Sequence, residues 1–127
     1  MSDFEDYATE RLAEHISRVY VALATLCLNL PIPVTLPTGE ISNVEAIPAV
    51  RRTMDLIIDQ PMPEENQAQL FAACALWLGA MDIYGLLVGH EFHSARAHSA
   101  AANLLMAEGS MLDIAEWLAS LPDGNEG

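Results

Sequence analysis

Apolar positions along this chain recur at steps of three and four rather than two, the spacing of helices and not of strands. Phe4, Ala8, Leu12, Ile16, Val19, Leu23, Leu26 and Leu30 make one unbroken stripe, which predicts a long first helix over residues 3–30. "SDFE" at its start is a capping box, in which Ser2 accepts from the Glu5 backbone N–H and the Glu5 side chain reaches back. Pro31 ends the helix, because the residue before a proline is pushed away from helical angles.

The next stretch, "PIPVTLPTGEISNVEAIP", excludes a continuous helix by its prolines and predicts an irregular arm over residues 31–47. "PTG" is turn chemistry, around which residues 34–36 and 40–42 would pair as a short hairpin. Loops this long often carry function. Residues 48–59 suit a short helix with Pro48 in its first turn and Val50, Met54 and Ile57 or Ile58 facing inward.

A third helix is predicted from about residue 63, where Pro63, Glu64 and Glu65 fit a helix N-terminus. Its apolar character wraps all round. One seam runs Leu70, Cys74, Trp77, Met81, Tyr84, Val88; a second, of mostly small residues, runs Ala68, Ala72, Ala75, Gly79, Asp82, Leu86, Gly89. Such a helix is central to a core or sits in lipid. Gly85 and Gly89 weaken or end it. Two more helices are expected, over residues 93–108 ending at Gly109, and over 111–121 after a Ser110 cap. The expectation is an all-α chain: one domain over residues 1–121, about five helices around a central apolar one, and a flexible polar tail at 122–127.

Composition changes this picture in one respect. Apolar residues make up 52% of the 127, and counted with Gly but without Tyr about 55%, above the roughly 45–50% of soluble domains. Charged residues are 18%, against roughly 25%. A small domain has the least interior for its surface, so some apolar side chains are expected to be covered by another chain. A homo-oligomer, most simply a two-fold dimer, is one such cover.

The charge is lopsided: 18 acids, five arginines, no lysine and a net charge of −13. That repels nucleic-acid phosphates and anionic membranes, which excludes direct nucleic-acid binding and favours a partner protein with a basic surface. Asp3, Asp6, Glu10 and Glu14 step by three and four along the first helix and form a candidate partner-binding strip. The two cysteines are far apart in apolar surroundings and predict free thiols in a reducing compartment. The acidic start "MSDFEDYATERL" has no basic, apolar signal-peptide pattern, so the expected location is cytoplasmic.

Residues 70–89 are long enough to span a bilayer. Asp82 near the middle would cost roughly 2.5–3.5 kcal/mol there, and the flanks lack the Lys and Arg that orient spans. A core helix is therefore expected, with a small membrane protein as an alternative. In a core Asp82 needs a partner, from Arg18, Arg51, Arg52 or His15, or else lies with Gly85 and Gly89 in a seam between copies.

"GHEFHSARAH" holds His90, Glu91, His93 and His98. It lacks the spacing of a zinc-protease helix, since the second histidine comes one residue early. A break near Gly89 would let these residues gather around zinc or iron, the alternative reading as a metal-binding protein or enzyme. No phosphate loop, nucleophile elbow or cysteine knuckle is present. The expected function is non-catalytic protein binding without a cofactor: a small acidic adaptor, or an inhibitor of a basic, nucleic-acid-handling protein.

Overall fold

The structure is a computed structural model that describes residues 3–31, 34–39, 43–89 and 91–122. It is all-α, with four helices and, among the described residues, no strand.

Helix α1 (Asp3–Leu28) forms on the predicted stripe. Leu12, Ile16, Val19, Leu23 and Leu26 are buried, with Tyr20, Ala24 and Cys27 widening the face. Phe4, at the head of the stripe, is 68% exposed. The helix stops two residues early, where Asn29 and Leu30 N–H groups turn tightly back to the carbonyls of Leu26 and Cys27. Ser2 lies outside the described residues, so the capping box does too.

Residues 34–39 carry no helix and lie against α1. Val34 and Leu36 are buried, the Val34 N–H donates to Cys27 O at 3.1 Å, and the Tyr20 hydroxyl donates to Pro37 O at 2.6 Å. Residues 40–42, the second half of the expected hairpin, are outside the described residues.

Helix α2 (Asn43–Leu56) begins five residues before Pro48, which therefore stands inside it rather than in its first turn. The reason is the spacing of Ala46, Ala49, Val50 and Thr53, all buried, which starts upstream of the proline. Pro48 itself is on the exposed side. A 3-10 turn, Ile57–Asp59, follows and buries Ile57 while leaving Ile58 exposed. Gln67 ties this turn to the next helix, its Nε2 donating to Gln60 O at 3.1 Å.

Helix α3 (Glu64–Gly89) starts where Pro63 offers its carbonyl to the Gln67 N–H at 2.9 Å. It packs most extensively on α4 and also on α1 and α2. Leu70, Ala73, Cys74, Trp77, Ala80 and Met81 are its buried face.

Helix α4 (Ser94–Ser120) is one element where two were expected. A glycine inside a helix costs only about 1 kcal/mol relative to alanine. Ala100, Leu104, Ala107, Met111 and Ile114 are all buried at steps of four and three that pass straight through Gly109. Burying Met111 and Ile114 is worth roughly 1.5–3 kcal/mol each, so packing outweighs the glycine and the Ser110 capping signal.

Gln69 Nε2 donates to Asp113 Oδ2 at 3.3 Å, and Gly79 faces Asn103, so α3 and α4 run antiparallel. The start of α1 lies beside the start of α4, and the two ends also lie together. The helices α1, α3 and α4 thus form an up-down-up bundle, with α2 packed on α3.

Candidate protein-binding surface

Because α1 and α4 run the same way, one long seam separates them. It is bridged near its middle by His15 Nε2 and Glu108 Oε1. Below that bridge, towards the C-terminal ends, the facing positions hold small residues: Ala22 on α1, Ala115 and Ala119 on α4. Side chains of that size do not fill the space between two helices. An open groove of about 1030 Å³ results.

Its floor is Leu26 and Met111, both buried, and its margins include Leu112, Leu118 and Leu121. Leu112 is 60% exposed. Thr25 and Asn29 give the rim polar groups, but their side chains already bond within α1, Thr25 Oγ1 to Val21 O and Asn29 Nδ2 to Thr25 O. Among the described residues, Glu108 is the only charged one lining the groove. Chemically this is an apolar trough with an acidic margin, able to bind but holding no nucleophile or acid–base pair among its lining residues.

The sequence-predicted strip is present as a surface. Asp3, Asp6, Glu10 and Glu14 are exposed along one side of α1, and none makes an ion pair among the described residues. Arg18, four residues after Glu14, does not pair with it. The strip lies on the N-terminal half of α1, around the helix from the groove, so the two are separate features.

The buried pair expected for Asp82 does not form. Asp82 is exposed, and so are Gly85 and Gly89. No ion pair joins Asp82 to Arg18, Arg51, Arg52 or His15. The cause is the arrangement of neighbours: α1, α2 and α4 cover three sides of α3, leaving a fourth with Phe71, Asp82, Gly85 and Leu86 outside. Accordingly α3 is long and apolar enough to cross a membrane, yet only 33% of its most apolar stretch is buried.

The histidine cluster does not assemble among the described residues. Glu91 and His93 approach at 3.9 Å and both are exposed, as is His98. No three His, Cys, Asp or Glu side chains come together to hold a metal there. His90 lies outside the described residues.

Both cysteines are free and fully buried. Burial pushes the Cys27 thiol up to about 11 and the Cys74 thiol up to about 12, with a smaller contribution to Cys74 from the nearby Cys27. Neither is a nucleophile near neutral pH. Desolvation likewise raises the Tyr20 phenol.

The groove itself is not visible in the sequence, because it depends on which helices lie side by side. Comparison with protein families, with curated proteins and with solved structures finds no match.

Proposed function

We propose that this chain is a non-catalytic protein-binding module that seats an apolar helix of a basic partner in the groove between α1 and α4. The groove carries the proposal: it is open, floored by Leu26 and Met111, and lined, among the described residues, by one carboxylate and no cation. Its length of helix margin and its apolar floor are what the apolar face of an amphipathic helix needs from a receptor. Hydrophobic contact supplies most of the affinity, while the net charge of −13 and the α1 acidic strip speed the encounter. Adaptor and inhibitor are the two roles such a seat serves. Free, buried thiols support a reducing, cytoplasmic setting.

Self-association belongs to the same reading. The outer side of α3, with Phe71, Ala75, Gly85 and Leu86, offers a second copy a close helix–helix contact.

The test is a titration of isotope-labelled chain with two synthetic helices that share one Leu/Ala face, one flanked by Lys and Arg and its twin by Glu. The reading expects the basic helix to perturb Leu26, Met111, Leu112 and Ala115, and to bind more weakly as salt rises. Equal binding of the twins, or perturbation elsewhere, would overturn it.

A further inference from the structure

Above the His15–Glu108 bridge, the α1/α4 seam opens a second time, with the opposite electrical character. This cavity of about 310 Å³ lies between the first half of α1 and the start of α4. Phe4, Leu12, Phe92 and Ala97 give it apolar walls. Around them stand Arg11, Arg18, His15 and His98. The chain has five arginines and 18 acids, yet two of those arginines line this cavity and, among the described residues, no Asp or Glu does. Two of the five arginines and two of the four histidines are thus gathered here.

Among the nearby carboxylates, Glu108 is bonded to His15 and Glu91 lies 3.9 Å from His93. Glu14, three residues after Arg11 and four before Arg18, is exposed beside the arginines but pairs with neither and does not line the cavity. Arg11 is held in place by its neighbour: Nη1 donates to the Tyr7 hydroxyl at 3.2 Å and the guanidinium lies 5.8 Å from the Tyr7 ring centre. Arg18 has no ion pair among the described residues. The same end of the cavity includes Ser94, the first residue of α4. That helix has no acid in its first turn and no side-chain cap on His93, so its leading N–H groups and its dipole add to the positive field.

We infer that this cavity is a binding site for a small amphipathic anion: a carboxylate on a medium-length alkyl chain or a single aryl group. The apolar walls take the hydrocarbon, and the guanidinium groups of Arg11 and Arg18 take the carboxylate. The volume stands at the lower end of the range for ligand sites, which selects ten-carbon bodies over long-chain lipids. A compact anion such as phosphate gains the charge but nothing from Phe4, Leu12 and Phe92. A neutral alcohol of the same length gains the walls but no ion pair. The site is distinct from the groove proposed for protein binding, and its test does not depend on that proposal.

The experiment titrates the full chain with decanoate, decanol and inorganic phosphate, followed by calorimetry and by amide shifts. Decanoate is expected to saturate one site, perturbing Phe4, Phe92, Ala97 and Ala101, and to bind at least about tenfold more tightly than decanol or phosphate. In an Arg11→Gln/Arg18→Gln variant, both positions being exposed, decanoate affinity should fall by about tenfold or more while decanol affinity stays. An unchanged decanol affinity also reports that the walls are still formed. Equal affinity for decanoate and decanol, phosphate binding as well as decanoate, or shifts confined to Leu26, Met111 and Ala115 would each overturn the inference.

Discussion

The indole Nε1–H of Trp77 donates to the backbone carbonyl of Ile16 at 3.1 Å, joining the middle of α3 to the middle of α1. Trp77 is 1% exposed, and its ring lies 5.2 Å from that of Tyr20, tilted by 43°. Tyr20 in turn holds Pro37, so one aromatic pair fixes α1, α3 and the segment after α1 together. Trp77→Phe keeps a ring but removes the donor and some volume, and should cost about 1–3 kcal/mol. Trp77→Ala should cost about 3–5 kcal/mol. Urea unfolding of the two variants checks the order; equal losses would show that the ring kept by phenylalanine contributes nothing.

Glycines in the helices make a sharper comparison. At Gly109 an added Cβ meets nothing within 4 Å, so Gly109→Ala should stabilise the chain by about 0.5–1 kcal/mol through helix propensity. At Gly79 the Cβ would stand 3.2 Å from Asn103 Nδ2, so Gly79→Ala should gain less or lose stability as the amide is displaced. Thermal melts of both variants test this directly. A loss at Gly109 would contradict a continuous α4.

The buried thiols predict an alkaline weakness. A thiol ordinarily titrates near 9.0, whereas folding raises Cys27 to about 11 and Cys74 to about 12. The folded chain therefore holds these protons more tightly than the unfolded chain. Their contribution is complete below about pH 9 and is lost as pH rises towards 11–12, at up to about 1.4 kcal/mol per pH unit for each thiol. Urea midpoints should fall between pH 8 and pH 10.5, and fall less in a Cys27→Ala/Cys74→Ala variant. An equally steep decline in that variant would place the effect elsewhere.

The acidic strip should act on rates more than on folding. Asp6, Glu10 and Glu14 are exposed and unpaired among the described residues, so Asp6→Lys/Glu10→Lys/Glu14→Lys should leave the thermal midpoint nearly unchanged. The association rate with the basic helix should drop, and its dependence on salt should flatten. Stopped-flow measurements at several ionic strengths decide it; an unchanged rate throughout would remove the strip from the account.

Much of the fold was legible in the spacing of apolar residues, and the errors share a cause. The α1 stripe from Leu12 to Leu26 needed only helical periodicity, and it is buried as expected. Gly109 and Pro48 are not boundaries, because the stripes that run through them, Ala107 to Met111 and Ala46 to Val50, outweigh their local preference. Asp82 is outside for a different reason. A helix apolar on all sides was expected to be enclosed, but three neighbouring helices cannot enclose it, and the aspartate lies on the side left over. The groove and the cationic cavity were illegible because each is made by α1 and α4 together. Nothing local tells Ala22 that Ala115 will stand across from it, or Arg11 that His98 will be its neighbour.

If the trough between α1 and α4 seats another protein's helix, filling it must block that helix. Ala115 lines the trough and is exposed, so Ala115→Trp would occupy the space without overpacking the core. The most direct measurement is the dissociation constant of the basic helix for the native chain and for this variant, alongside their thermal midpoints. The account predicts that the tryptophan weakens binding by about tenfold or more while the midpoint holds. Native-like affinity in a folded Ala115→Trp chain would contradict it.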